Sequence, residues 1–188
     1  MTLSVEIGAG SATSESYLSV ADFKTYALSN YAVTDTVADD AIEQALRRAT
    51  RYVDGRYRHR FLGYRTFAFS QALEWPREGV VLNWLPEGAT YAYWLGYSAV
   101  AGQILANNVI PQMLKDAVSE AAIRELADPG TLTPDRTPAR QVLQQTVGPI
   151  TTVYANVATT RPVVTVIDEI LSPLLSKISS YSGSLVRA

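Results

Sequence analysis

The chain has no cysteine and one histidine among its 188 residues. Without cysteine there is neither a disulfide framework nor a thiolate metal centre, which fits a reducing compartment. The one imidazole, His59 in RYRHRF, gives acid–base catalysis little to draw on. A general base needs an orienting partner and a substrate within hydrogen-bond reach. The adjacent acidic pairs Asp39-Asp40 and Asp168-Glu169 diverge on a helix and make poor metal ligands. No cofactor, no metal and no enzymatic activity are therefore expected. No apolar run approaches membrane-spanning length, and MTLSVEIGAG lacks the basic and apolar regions of a signal peptide. The expectation is a soluble chain made in the cytoplasm, with no membrane partner. Gly8-Ala9-Gly10 precedes SATSES where a phosphate loop would place a lysine opening a helix, so it is expected to be a flexible N-terminal arm. No internal repeat is visible.

What is present is charge, unevenly distributed. The formal net charge is −2, yet residues 1–46 carry one basic and seven acidic side chains while residues 47–65 carry seven arginines and one acid, Asp54. The length allows one domain with a sizeable core, and the chain is read as a single domain over residues 1–188.

Hydrophobic spacing predicts a mainly α-helical fold: a small helical bundle with a short β-hairpin or extended arm, and a C-terminal helix followed by a tail. In SYLSVADFKTYALS, Ser19 can cap a helix with Asp22 three residues on, and Val20, Phe23 and Ala27 share a face. Asp39 and Asp40 open the clearest helix, with Ile42, Leu46, Ala49 and Val53 on its apolar face and Gly55 as its expected weak point or end. Residues 56–69, RYRHRFLGYRTFAF, alternate basic and aromatic side chains and read as an irregular arm or a strand. A turn is expected at Trp75-Pro76, and residues 81–103 form an aromatic-rich insertion. Ile110-Pro111 begins a second strong helix that Asp128-Pro129-Gly130 stops. Residues 129–140 read as a linker, and QVLQQTVGPITTVYANV as two extended runs joined at Gly148-Pro149. Residues 161–188 form a C-terminal arm whose helix Pro173 kinks or splits.

The segment from Arg47 to Arg65 is the strongest functional candidate. Arginine interleaved with Tyr52, Tyr57, Phe61 and Tyr64 combines phosphate neutralisation with faces on which bases stack, the composition of a single-strand binder. Arginine and tyrosine are also enriched at protein interfaces, which is the reading ranked first here. In QALEWPREGV, Trp75 supplies an apolar body, Pro76 an extended or turn backbone, and Arg77 a partner for a carboxylate.

Four pieces taken together carry a family resemblance: SYLSVADFKTYA, then ALRRATRYVDGRYRHRFLGYRTFAFSQALEWPREGV, then IPQMLKDAVSEAAIREL, then VGPITTVYANV with PVVTVIDEILSPLLS and GSLVRA. Their order resembles that of the tailed-phage DnaT-like single-stranded-DNA-binding proteins and, through them, the head-tail connector adaptors. The adaptor resemblance implies a virion structural protein of the bacteriophage neck, a head-completion protein docked on the portal in a twelve-fold ring of identical subunits. Its further partners would be a tail or stopper protein, with genomic DNA passing the ring lumen. The interface it implies comprises Arg47, Arg48, Arg51, Arg56, Arg58, Arg60, Arg65, Tyr57, Tyr64, Trp75, Arg77, Leu185, Val186 and Arg187, with the acidic front of one subunit meeting the arginines of the next. The alternative it implies is single-stranded-DNA binding through Arg47 to Arg65.

Overall fold

The structure is a computed structural model that describes residues 2–31, 37–82, 104–134, 144–147, 150–153 and 164–176. Helix α1, Val20–Asn30, begins where the sequence pattern places it: the Ser19 hydroxyl accepts from the Asp22 amide at 3.1 Å and donates to the Asp22 carboxylate at 2.8 Å. This reciprocal bonding satisfies an amide that the first turn would otherwise leave unpaired. Helix α2, Asp39–Tyr57, has no side-chain cap. Instead, Asp39 and Asp40 set negative charge against the positive end of its dipole.

Ile42, Ala45, Leu46, Ala49 and Val53 form the buried face of α2, which packs most extensively on helix α3, Gln112–Ala127. That helix presents Leu114, Ala117, Val118, Ala121 and Ala122, all buried. Alanine on both faces lets the two backbones approach closely, while the leucines and isoleucine each contribute about 1.5–3 kcal/mol by leaving water. Pro111 occupies the N-cap of α3, where its missing donor removes no helical bond. Helix α3 stops at Asp128, and Gly130 adopts the left-handed region at φ 91° as the chain turns away.

The chain is mainly α-helical, with the four helices packed together and short antiparallel pairs between them. Strands β1 (Tyr64–Arg65) and β2 (Arg77–Glu78) pair Tyr64 with Glu78 and Arg65 with Arg77. Strands β3 (Gln144–Val147) and β4 (Ile150–Val153) pair on either side of residues 148–149, as the two extended runs of the sequence predict. Helix α4, Thr165–Leu171, passes directly into a 3-10 turn over Ser172–Leu174, so Pro173 does end the regular helix. This turn fixes the segment after α2: Leu62 N–H donates to Leu174 O at 3.0 Å and Ser176 N–H to Arg60 O at 2.6 Å.

Two expectations need correction. Gly55 neither ends nor interrupts α2, which runs unbroken to Tyr57. The Gly8-Ala9-Gly10 segment is a closed loop. Buried Glu6 accepts from the amides of Gly8, Gly10 and Ser11 at 2.9 Å each and from the Ser14 hydroxyl at 3.0 Å. The chain's own carboxylate thus fills the concavity these amides form, the kind of nest that binds an anion. Of the remaining expected segments, residues 83–103 of the aromatic insertion, 135–140 of the linker, and 161–163 and 177–188 of the C-terminal arm lie outside the described residues.

Candidate nucleic-acid interface

The arginines of residues 47–65 divide into two groups. Arg47 and Arg48 are committed to carboxylates of the same chain. Arg47 Nε lies 3.0 Å from Glu15 and its Nη2 lies 3.2 Å from Glu43, while Arg48 Nε lies 2.7 Å from Glu125. Arg47 also holds the Glu15 carboxyl below its ordinary range. Glu125 is buried and further accepts from Gly130 N–H at 2.9 Å, so Arg48 ties α2 to the turn after α3. Arg51, Arg56 and Arg60 form no salt bridge among the described residues, and Arg51 is exposed. Arg58 is exposed and contacts Glu74 only at 3.5 Å. The uncommitted positive charge therefore sits on the second half of α2 and the turn that follows it.

That turn is joined to the β1–β2 pair through Glu74 and Arg77. Arg77 is buried: it donates from Nε to Leu62 O at 2.9 Å and from Nη2 to Gly63 O at 2.7 Å, and its Nη1 lies 3.2 Å from Glu74. Its guanidinium stands 5.8 Å from the centroid of the Phe61 ring. Burial lowers the pKa of Arg77, with Glu74 acting in the opposite direction. Arg77 thus holds the hairpin to the end of α2. Arg65 has a similar internal role, donating to Gln71 O across the turn.

Trp75 is 0% exposed and meets Phe61 edge-on at 5.8 Å, next to a cis peptide bond to Pro76. Its amide donates to the Tyr17 hydroxyl at 3.1 Å, and that hydroxyl donates to both oxygens of Asp54 at 2.8 and 2.9 Å. Asp54 also accepts from Glu74 N–H at 3.1 Å. Burial pushes the Asp54 carboxyl up to about 7, against the opposing pull of these hydrogen bonds. QALEWPREGV is therefore a structural plug that anchors the hairpin to α2 and to Tyr17 ahead of α1, and its Trp75 and Arg77 are core residues instead of contact residues.

The aromatic residues of the segment also separate. Tyr52, Tyr57 and Phe61 are buried, so their faces are closed to a ligand. Tyr57 donates to Asp168 at 2.7 Å, and burial followed by this carboxylate raises its pKa. Tyr64 is 61% exposed and Phe69 is 99% exposed. Phe69 stands at the outer end of the β1–β2 connection, where Ala68 takes a left-handed conformation at φ 49°. The preceding Phe67 is 44% exposed and lays one side of its ring over Gly10, whose conformation at φ 66° and lack of a Cβ leave room for it. The sequence reading passed over Phe69. Its signal was an aromatic residue held between Ala68 and Ser70, small neighbours that cannot cover it.

Leu185, Val186 and Arg187 lie outside the described residues. Among the described residues no group of three or more histidine and acidic side chains could hold a metal ion, and no helix is long and apolar enough to cross a membrane. What remains is a helical scaffold that presents uncommitted arginines and exposed aromatic rings on connected segments, the attributes of a binding protein for a polyanion carrying flat bases. A family model described as "Putative DnaT-like ssDNA binding protein" matches residues 1–188, and the chain belongs to that family. No curated protein and no solved structure matches it.

The family assignment corrects the adaptor expectation. It supports single-stranded DNA as the partner in place of the portal, the tail or stopper protein and a twelve-fold ring of identical subunits. The contacts of Arg47 and Arg48 agree with this correction: the acidic residues they were expected to meet on a neighbouring subunit are instead Glu15, Glu43 and Glu125 of their own chain.

Proposed function

We propose that the protein binds single-stranded DNA and carries out no chemistry on it. The strand's phosphates are neutralised by Arg51, Arg56, Arg58 and Arg60, and bases stack on Tyr64 and Phe69. The observation that carries this reading is the pairing of a basic helix end with fully exposed Phe69 on a hairpin that Arg77 and Glu74 fasten to it. The full-length family match supports the same partner. An aromatic side chain left in water lacks the burial that normally justifies it, and base stacking supplies a use for its face.

The test is fluorescence anisotropy of a labelled oligo-dT with the full chain at several salt concentrations. Four phosphate contacts give a log–log salt slope of roughly −3. Phe69→Ala should weaken binding by about 1–3 kcal/mol, or roughly 5- to 150-fold, with stability almost unchanged because the ring is not packed. Absence of binding at low salt, or affinity indifferent to both salt and Phe69, would refute the proposal.

A further inference from the structure

Among the described residues, nothing in the fold calls for glycine at position 55. Glycine is the poorest helix former after proline, yet it occupies the interior of α2 two residues from its end. It is exposed, its φ lies outside the left-handed region, and among the described residues a Cβ built on it meets no atom within 4 Å beyond its own stretch of helix. Neither backbone geometry nor packing therefore requires glycine at this position, and alanine would fit without strain.

What glycine does provide is bare helix backbone open to close approach by a ligand. Its surroundings match a polyanion. Arg51 lies one turn before it and Arg58 one turn after it on the same face, both exposed, with exposed His59 beside Arg58. Arg58 keeps helical backbone angles of −47° and −40°, so this face continues past the last residue of α2. The acids within electrostatic reach of these arginines include Glu15, which pairs with Arg47 and also acts on Arg51, and buried Asp54, which acts on Arg58. Glu125 is buried against Arg48, and Glu74 is buried between Arg58 and Arg77. Arg51 and Arg58 stand about 10 Å apart along the helix axis, with the glycine between them.

We infer that Gly55 marks where the sugar–phosphate backbone of the bound strand lies directly against α2, with Arg51 and Arg58 each taking a phosphate on either side. The inference rests on the proposed single-strand binding and adds the point of closest contact. In this arrangement the missing side chain sets how deeply the strand sits, and hence how near its phosphates come to both guanidinium groups. A methyl group would lift the strand from the helix and lengthen both contacts.

Gly55→Ala and Gly55→Gln are compared with the unaltered chain by thermal unfolding and by oligo-dT anisotropy. Alanine should raise the melting temperature by about 2–4 °C, as better helix propensity does in a chain of this size. Affinity should move the opposite way, falling several-fold with alanine and further with glutamine. If both variants bind like the unaltered chain while Phe69→Ala still weakens binding, the Gly55 contact is overturned and single-strand binding stands. If alanine lowers the melting temperature, the fold itself requires the glycine and the inference also fails. An unaltered chain that binds no oligo-dT overturns both.

Discussion

Asp54 lies on α2 with its carboxyl enclosed by Tyr17 and the Glu74 amide, and burial pushes its pKa up to about 7. An unfolded aspartate titrates near 3.9. Between these values the folded chain keeps a proton that the unfolded chain has released, so stability is highest below about pH 4 in this contribution and is lost as pH rises through about 7. A displacement of about three pH units corresponds to about 4 kcal/mol, or roughly 8–16 °C of melting temperature for a chain of this length. Glu15 and Glu120 act with the opposite sign. Arg47 lowers the pKa of Glu15, while for Glu120 burial is outweighed by hydrogen bonds from Arg124, Tyr31 and Tyr26. Both contributions are fully present above the ordinary carboxylate range and are lost only as pH falls below it, so unfolding monitored by circular dichroism between pH 5 and pH 8 isolates Asp54. The melting temperature should fall across this interval. Asp54→Asn keeps an acceptor for Tyr17 and for the Glu74 amide without a charge, so its profile should be flat and should lie above that of the unaltered chain beyond pH 7. A flat profile for the unaltered chain, or an equal slope in the variant, would refute the reasoning.

Two stability predictions follow from the contacts of α2 and the hairpin. Arg48→Ala strands the buried Glu125 carboxylate, and with the arginine itself 37% exposed the cost should be about 1–3 kcal/mol in urea unfolding. An unchanged midpoint would show that the pair contributes nothing. Ala68→Gly relieves a left-handed conformation that a Cβ disfavours, so it should stabilise the chain by up to about 1 kcal/mol. A destabilised glycine variant would contradict the conformation assigned to Ala68.

Local chemistry made much of the fold legible in the sequence. Ser19 and Asp22 announce α1, proline at 111 and the Asp128-Pro129-Gly130 break bracket α3, and the apolar spacing of α2 gives its buried face. The candidate site was legible as a region and misread in detail. Tyr52, Tyr57 and Phe61 look identical to Tyr64 in a list of basic and aromatic residues, and only contacts far along the chain, such as Asp168 on Tyr57 and Trp75 on Phe61, decide which rings are covered. Glu15 and Glu125, which pair with Arg47 and Arg48, lie 32 and 77 residues away in sequence, beyond the reach of spacing rules, whereas Glu43 stands one helical turn before Arg47 and within them. Gly55 was read as a helix breaker because propensity speaks against it, and the cooperative packing of α2 on α3 overrides that preference.

The buried carboxylates change what an isoelectric point says about this molecule. Its value near 5.4 counts Glu6, Asp54, Glu74, Glu120 and Glu125 as though they faced solvent, whereas all five are buried and Arg77 is the one buried base among the described residues. A negatively charged strand or a chromatography resin meets the outer layer first, where acids are scarcer than composition suggests. Retention on a cation exchanger should therefore exceed what a protein of this isoelectric point ordinarily shows, because acidity has been moved inward to fasten loops while Arg51 and Arg58 stay exposed.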